Sequence, residues 1–160
     1  ALARAIPERL LRPVYVWIAS LLLIGVGLAW QTVGGSLYRV EGAVAWIFAT
    51  VQLSGFGMIA WSVTAIRPLE LAGIRAPNAA EELQVRGPYA WVRHPLYLGW
   101  LLIVSVPAHM TGDRLVFAAL TTIYLLVAIP WEERSLEQVF GAGYARYRNQ
   151  VRWRIVPYLY

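Results

Sequence analysis

A compact group of side chains capable of chemistry occurs past the middle of the sequence. Arg93 and His94 precede Pro95, and Tyr97 and Gly99 follow one turn further on. Pro95 favours the start of a helix, because the first turn of a helix does not use the N–H that proline lacks. Free N–H groups at such a start, beside an arginine and a histidine, form a natural site for a carboxylate or a phosphate. The alternative is interfacial anchoring, in which the aromatic and arginine side chains only hold the helix at a membrane surface.

A second group is the adjacent pair Glu132 and Glu133, which follows Trp131 at the end of an apolar run. The helix dipole disfavours negative charge at a helix C-terminus, and ionisable groups at the edge of a hydrocarbon layer tend to be functional. Neighbouring helical residues point about 100° apart. We therefore expect one glutamate to face a ligand pocket and the other to face the arginines of the tail, with Glu133 as the pocket-facing residue. The alternative is that both carboxylates are solvated beside Arg134.

The composition of the chain excludes most protein classes. Hydrophobic residues make up 59% of the 160 residues and charged residues 14%, about half the charged share of an ordinary soluble domain. A soluble fold of this size has too small a core to bury so much apolar surface, and disordered chains have the opposite composition. The sequence has no cysteine and two histidines, which excludes disulfides, thiol nucleophiles and a Cys- or His-built metal site. We interpret the chain as a single membrane domain, residues 1–160.

Four apolar segments approach the length of about 20 residues that a membrane-spanning helix needs. We predict an all-α integral membrane protein with four transmembrane helices and a cytoplasmic amphipathic tail. The predicted spans are residues 13–30, 42–66, 95–110 and 115–131. Only residues 111–114 separate the last two spans, which therefore form a helical hairpin. This hairpin returns His94 and the pair Glu132 and Glu133 to the same face of the membrane.

The basic side chains orient these helices. All fourteen are arginines, and twelve lie before the first span, in the loop 67–94 or in the tail 132–160, whereas Arg39 and Arg114 lie on the other side. The positive-inside rule predicts that both termini and the loop are cytoplasmic. The arginines flank apolar runs and form no separate basic face, so we expect no nucleic-acid partner. Since the chain opens with Ala1 and not Met, we expect natural residues to precede it.

The tail contains an apolar and aromatic stripe with helical spacing. Its members recur every three or four residues: Leu136, Phe140, Tyr144, Tyr147 and Val151. Gly141 and Gly143 are expected to divide this tail into two short helices that lie at the membrane surface.

Together these residues resemble a known group of membrane enzymes. The run Arg93-His94-Pro95-Leu96-Tyr97-Leu98-Gly99, a hydrophobic hairpin and then Glu132-Glu133 resembles the RHPxYxG-hydrophobic-EE signature of membrane methyltransferases. That superfamily includes isoprenylcysteine carboxyl methyltransferases and phospholipid methyltransferases. The tail from Phe140 to Arg148, with Val151 and Pro157, also looks like theirs. Within the superfamily the chain is most similar to NnrU-like proteins and bacterial methanethiol S-methyltransferases, through residues 69–75, 107–111, 115–118 and 132–136.

The resemblance implies S-adenosylmethionine as the methyl donor, bound between the last two spans and the tail. The cofactor-binding residues that it implies are Arg93, His94, Pro95, Tyr97, Gly99, Glu132, Tyr144 and Tyr147. It places the catalytic acidic pair at Glu133 and Glu132. An arginine of the tail could hold an anionic acceptor, and the candidates are Arg146, Arg148, Arg152 and Arg154. The acceptor classes are a small thiol, a prenylcysteine-like carboxylate or a lipid, reached from the surrounding membrane lipids.

Two classes of function are open to such a chain. The first is the S-adenosylmethionine-dependent methyltransferase. The second is a non-catalytic membrane protein that keeps the methyltransferase fold, as a regulator or an assembly factor. Retention of the motif residues favours the enzyme: His94, Tyr97, Glu132 and Glu133.

Overall fold

The computed structural model is mostly helical. It describes residues 17–18, 21, 24–66 and 83–160. The first predicted span lies only partly within these ranges, and residues 67–82 of the predicted loop lie outside the described residues. Arg4, Arg9 and Arg12, together with Arg67 and Arg75 of the loop, also lie outside them.

The chain divides into two units, residues 1–31 with 66–82 and residues 32–65 with 83–160. In the first unit, residues 24–28 are helical. The elements of the second unit, in chain order, are strand β1 (Ser36–Arg39), helix α1 (Gly42–Ala65), a 3₁₀ turn (Gly87–Ala90), helix α2 (Pro95–Ser105), strand β2 (His109–Thr111), helix α3 (Gly112–Phe140) and helix α4 (Ala142–Gln150).

Helices α1 and α3 are long and apolar enough to cross a membrane, and they correspond to the second and fourth predicted spans. In the most apolar 18-residue stretch of each helix, only 6% of α1 and 17% of α3 are buried within the protein. Large apolar side chains on both helices, such as Trp46, Phe56 and Leu120, are exposed. Contiguous apolar surface of this extent requires a nonaqueous environment. Together with the resemblance above, it identifies a membrane protein.

The structure is mostly helical, as predicted, and two short strands add to the helices. They pair antiparallel, with Tyr38 opposite Met110 and Arg39 opposite His109. The Nε2 atom of His109 lies 2.9 Å from the hydroxyl of Ser36 across this pair. Strands of three or four residues carry too little sequence periodicity to predict, because their pairing depends on a partner distant in the sequence.

Helix α2 is shorter than the predicted span 95–110. It ends at Ser105, so its 11 residues cover roughly 16 Å at about 1.5 Å per residue, half the apolar thickness of a bilayer. Pro107 explains the end of the helix, because the residue before a proline avoids the helical conformation, and a proline has no N–H for the carbonyl four residues earlier. That carbonyl, of Ile103, instead accepts a hydrogen bond of 2.8 Å from the side chain of Gln52 on α1.

Helices α1 and α2 pack closely where two glycines meet. A Cβ atom added to Gly99 would lie 2.7 Å from the carbonyl oxygen of Gly55, and one added to Gly55 would lie 2.6 Å from the carbonyl oxygen of Gly99. Small residues allow two backbones to approach in this way in membrane proteins. Gly57 lies two residues further along α1, and a Cβ atom added there would have nothing within 4 Å.

The tail begins as a continuation of α3, which corrects the prediction of two separate short helices. The helix runs without interruption through Pro130 and the acidic pair to Phe140. It breaks only at Gly141, whose φ of +50° is a backbone conformation that favours glycine. The predicted apolar stripe is confirmed, because Tyr144, Tyr147 and Val151 form a buried cluster packed against Leu136 and Phe140.

Candidate functional site

The start of α2 and the polar end of α3 meet at a buried ion pair. The Nε atom of Arg93 donates to the Oε1 atom of Glu133 across 2.7 Å, and both side chains are more than nine-tenths buried. His94, which precedes the first residue of α2, lies between the two glutamates. The structure therefore brings together the two groups of residues that the sequence predicted would share one face of the protein.

The C-terminal tail closes over this junction. The backbone N–H of Arg93 donates to the carbonyl of Trp153 at 2.9 Å, and that of His94 donates to the carbonyl of Arg154 at 2.8 Å. The Nη1 atom of Arg93 also donates to the carbonyls of residues 151–152, each 2.8 Å away. Arg93 thus uses its guanidinium group to fasten the tail and α3 to the start of α2.

Glu133 is held by two guanidinium groups. Besides its bond to Arg93, its Oε2 atom lies 3.2 Å from the Nε atom of Arg154. Arg154 in turn donates to the hydroxyl of Tyr160 at 2.9 Å, and its guanidinium group lies 5.1 Å from the centre of the Tyr160 ring. Paired in this way, the carboxylate of Glu133 joins the tail to the helices.

Glu132 has different surroundings. Its side chain is 45% exposed, and its Oε2 atom accepts a hydrogen bond of 2.8 Å from the hydroxyl of Tyr97. The Nδ1 atom of His94 lies 3.5 Å from the same oxygen, and the rings of His94 and Tyr97 are stacked with 5.3 Å between their centres. Glu132, Tyr97 and His94 form one polar face at the start of α2.

The two glutamates therefore differ in their surroundings, as the sequence predicted, and Glu133 contacts both the start of α2 and the tail. Glu133 faces the arginine of the tail, and Glu132 is the exposed carboxylate beside His94 and Tyr97. The turn of the continuous helix α3 fixes this outcome. The sequence could not show it, because the direction of the tail after Gly141 decides which glutamate it meets.

Three buried polar atoms near these carboxylates have no hydrogen-bond partner among the described residues. They are the Nε2 atom of His94 and the hydroxyl groups of Tyr89 and Tyr144. Burial raises the pKa of Tyr89 to about 12, with a contribution from the charge of Glu132. Burial also raises the pKa of Tyr144 to about 12, with a contribution from the charge of Glu133. Both hydroxyl groups therefore keep their protons at neutral pH and act as hydrogen-bond donors.

Tyr89 was not singled out as a site residue from the sequence. It belongs to the same run as Arg93, but a tyrosine before a predicted membrane helix is typical of interfacial anchoring. The residue is nevertheless buried, with 8% of its surface exposed. The hydroxyl of Tyr147 on α4 donates to the carbonyl of Tyr89 at 2.8 Å, and no local sequence signal predicts that contact.

The remaining predicted site residues lie elsewhere or have packing roles. Gly99 faces Gly55 on α1, and no part of the polar cluster contacts it. Pro95 is buried as the first residue of α2. The exposed side chain of Arg146 lies against the carbonyl of Ala142 on its own helix, at 3.5 Å.

The described residues contain no group of three or more histidine, aspartate or glutamate side chains that could hold a metal ion.

Comparison of the sequence with known proteins points to a family of methyltransferases. Residues 74–138 match the isoprenylcysteine carboxyl methyltransferase (ICMT) family, and this segment carries both the Arg93–Gly99 motif and the acidic pair. The match confirms the resemblance predicted from the sequence: the chain is similar to the methyltransferases of that family. No solved structure gave a significant match.

Several relatives are named for one particular reaction. A methanethiol S-methyltransferase of Crocosphaera subtropica is 35% identical over 98% of this chain and 64% of its own length. One of Mycobacterium tuberculosis is 33% identical over 92% of this chain and 64% of its own length. A Nurim homolog of Drosophila pseudoobscura pseudoobscura is 27% identical over 57% of this chain and 40% of its own length. The chain thus spans less than two thirds of the length of these relatives.

Proposed function

We propose that the protein is a membrane methyltransferase that transfers a methyl group from S-adenosylmethionine to a small thiol. The observation that carries this proposal is the convergence of Glu132, His94 and Tyr97 at the start of α2, with the buried Tyr144 beside Glu133. The relatives named methanethiol S-methyltransferase support the small thiol as acceptor.

The chemistry of the site fits the proposed donor. When bound, S-adenosylmethionine supplies a methyl group activated by the positive charge of its sulfonium, and its amino-acid part carries a carboxylate and an ammonium group. The Nε2 atom of His94 and the hydroxyl of Tyr144 are buried polar atoms beside the carboxylate of Glu133 that make no well-formed hydrogen bond in the described structure, and a ligand that accepts hydrogen bonds would satisfy them. We assign the carboxylate of the amino-acid part to these groups.

The reaction needs positioning and one proton acceptor. A lone pair of the acceptor sulfur forms the new bond to the methyl carbon, while the bond from that carbon to the sulfonium breaks and its electrons remain on the departing sulfur. A thiol attacks efficiently only after it loses its proton. Glu132 is the exposed carboxylate of the site, whereas Glu133 is engaged by two arginines, so we assign Glu132 to accept this proton. The remaining catalysis is positioning and electrostatic stabilisation.

Roles of the other predicted residues follow from their places in the structure. We assign Arg93 and Glu133 to hold the tail over the site, and Tyr97 to orient Glu132. Arg146 would matter for an anionic acceptor such as a prenylcysteine carboxylate, whereas a neutral thiol needs no arginine partner.

We also propose that the protein lies in a bacterial inner membrane with both termini in the cytoplasm. The asymmetric distribution of arginines supports this orientation. Reporter fusions test it: a fusion after Thr111 should report the side opposite to a fusion after Tyr160. A common side for both would contradict the orientation.

The acceptor is tested by offering a panel to the purified protein in lipid nanodiscs with S-adenosylmethionine labelled in its methyl group. The panel contains methanethiol, a prenylcysteine and a phospholipid. We expect label in dimethyl sulfide only. Label in the prenylcysteine or the lipid would support methyltransferase activity but contradict the small thiol as acceptor. Binding of the donor without transfer to any acceptor would favour the non-catalytic alternative.

A further inference from the structure

A cavity of about 440 Å³ lies beside the C-terminal end of helix α2. Because α2 stops at Ser105, it leaves space between the first half of α1 and the start of α3. The volume falls within the range of about 300–1,000 Å³ that is typical of ligand sites. The walls come from α1, the last turn of α2, the segment after it and the first turns of α3, and they include Gln52, Ile103, Val104, His109, Arg114 and Phe117.

This cavity lies at the end of α3 opposite to the acidic pair. The part of α3 from Arg114 to Glu133 is roughly 28 Å long at about 1.5 Å per residue, close to the apolar thickness of a bilayer of about 30 Å. No charged residue occurs between Leu115 and Trp131. Arg114 is therefore expected at the depth of the lipid head groups, on the membrane face away from the proposed donor site.

The wall of the cavity carries a positive charge. The Nη1 atom of Arg114 donates to the carbonyl of His109, and no carboxylate of the described residues forms an ion pair with this guanidinium group. Asp113 does not line the cavity, and its carboxylate accepts the N–H of Val33 at 2.7 Å. The Nη2 atom of Arg39 lies 3.5 Å from the Nδ1 atom of His109, which adds a second arginine nearby. A ligand with a negative charge fits these surroundings.

The backbone around Arg114 is firmly held. The N–H of Gly112 donates to the carbonyl of Gly35 at 3.1 Å, and a Cβ atom added to Gly112 would collide with the carbonyl oxygen of Val33. The hydroxyl of Thr111 accepts the N–H of Arg114 at 3.4 Å as the cap of α3. A ligand at Arg114 therefore pays little of the ordering cost that weakens binding to a loose segment.

The other walls of the cavity are apolar. Val104 and Ile103 belong to α2, and Phe117 lies one turn after Arg114 on α3. Arginine binds phosphate through two parallel N–H groups, and apolar walls favour a hydrocarbon chain. The ligand chemistry that matches both features is a phosphate joined to an apolar chain. Inorganic phosphate would use the arginine but would gain nothing from the apolar walls.

We propose that this cavity binds an anionic phospholipid of the leaflet opposite to the acidic pair, with its phosphate at Arg114 and an acyl chain against Val104 and Phe117. An anionic lipid fits better than a zwitterionic one, because a zwitterionic head group brings its own positive charge to the arginine. The length of α3 separates this lipid from the proposed donor site, so it is a bound lipid and not a methyl acceptor. The inference is independent of the proposed function.

Lipid titration of the purified, delipidated protein tests this site. Phosphatidylglycerol is added in a nonionic detergent, and native mass spectrometry counts the bound lipids. We expect one tightly bound lipid for the wild-type protein. Arg114→Gln should raise its dissociation constant about ten- to hundredfold, as expected for loss of a hydrogen bond between charged groups. Val104→Phe should weaken binding at least about tenfold without a change of charge, because the larger side chain takes up the space of the acyl chain.

Arg134→Gln is the matched control. Arg134 is an exposed arginine near the other end of α3, and its guanidinium group lies 5.5 Å from the centre of the Trp131 ring. The variant loses the same charge from the same helix and should bind phosphatidylglycerol like the wild-type protein. Circular dichroism checks that each variant is folded.

Four results would overturn the inference. They are absence of a tightly bound phosphatidylglycerol on the wild-type protein, an unchanged constant for folded Arg114→Gln or Val104→Phe, an equal loss for Arg134→Gln, and equal binding of phosphatidylcholine. Inorganic phosphate separates the two sources of a phosphate group. Full competition by inorganic phosphate at the concentration of the lipid would identify a site for a free anion and would also overturn the inference.

Discussion

Arg93 and Glu133 form a buried ion pair with 2.7 Å between Nε and Oε1. The pair joins the start of α2 to the C-terminal half of α3. The same guanidinium group holds two carbonyls of the tail. A single arginine therefore fastens three separate segments of the chain around the proposed donor site. We therefore expect this pair to stabilise the fold and to hold the tail over the proposed site.

Breaking this pair should destabilise the protein. Glu133→Gln leaves the buried guanidinium of Arg93 without its countercharge, and removal of one partner from a buried pair costs about 3–5 kcal/mol. Denaturant titration in detergent measures the loss. Glu137→Gln is the matched control, because its pair with Arg148 is 3.7 Å long and about half exposed, and such pairs contribute about 0–1 kcal/mol. Equal stability of the two variants would contradict the role assigned to Glu133.

Glu132→Gln should have the opposite profile. The exposed carboxylate contributes little to the fold, so the melting temperature should stay within error of the wild type. Loss of a charge-assisted contact and of the proton acceptor should lower kcat/KM for methyl transfer to methanethiol by about tenfold or more. Glu137→Gln again serves as the control and should keep full activity. Turnover of Glu132→Gln at the wild-type rate would show that a group other than Glu132 accepts the proton.

Much of this architecture could be predicted from the sequence, because it depends on local patterns. The apolar runs of α1 and α3, the return of His94 and the acidic pair to one site, and the stripe from Leu136 to Val151 all follow from spacing along the chain. The features that could not be predicted depend on contacts between distant segments. The hydroxyl of Tyr147 bonds to the backbone carbonyl of Tyr89, and Glu133 pairs with Arg154, because the chain turns back after Gly141.

The end of the third predicted span is wrong for a reason that the sequence contains. Apolar content alone extends this span to residue 110, whereas the helix ends at Ser105, two residues before Pro107. Apolar content indicates where a segment can lie, whereas backbone hydrogen bonding decides how far a helix extends. The side chain of Gln52 then satisfies the carbonyl that Pro107 leaves free.

Removing that side-chain amide should therefore cost stability. Gln52→Leu keeps the volume and leaves the carbonyl of Ile103 without a donor, which is expected to cost about 1–3 kcal/mol. Unfolding titrations measure this loss against Ser54→Ala, since Ser54 is exposed and its hydroxyl bonds only to the carbonyl of Val51 within the same helix. Indistinguishable stabilities would show that the carbonyl is satisfied without Gln52.

The glycine contact between α1 and α2 gives a sharp comparison within one helix. Gly55→Ala would place its Cβ atom 2.6 Å from the backbone oxygen of Gly99, so the helices must separate, at a cost of about 1–3 kcal/mol. Gly57→Ala meets nothing within 4 Å and should be neutral or stabilising by up to about 1 kcal/mol, because alanine is the better helix former. Thermal melts of both variants test the packing, and a larger loss for Gly57→Ala would contradict it.

The central claim is that the start of α2 and the acidic end of α3 bind S-adenosylmethionine, and calorimetric titration of the purified protein in nanodiscs tests it most directly. We predict a saturable binding isotherm for the wild-type protein and for Glu137→Gln. We predict a dissociation constant at least about tenfold higher for His94→Ala, with the circular dichroism of a folded protein. Absence of binding by the wild-type protein, or an unchanged constant for folded His94→Ala, would contradict the claim and return the motif to the role of a membrane-interface anchor.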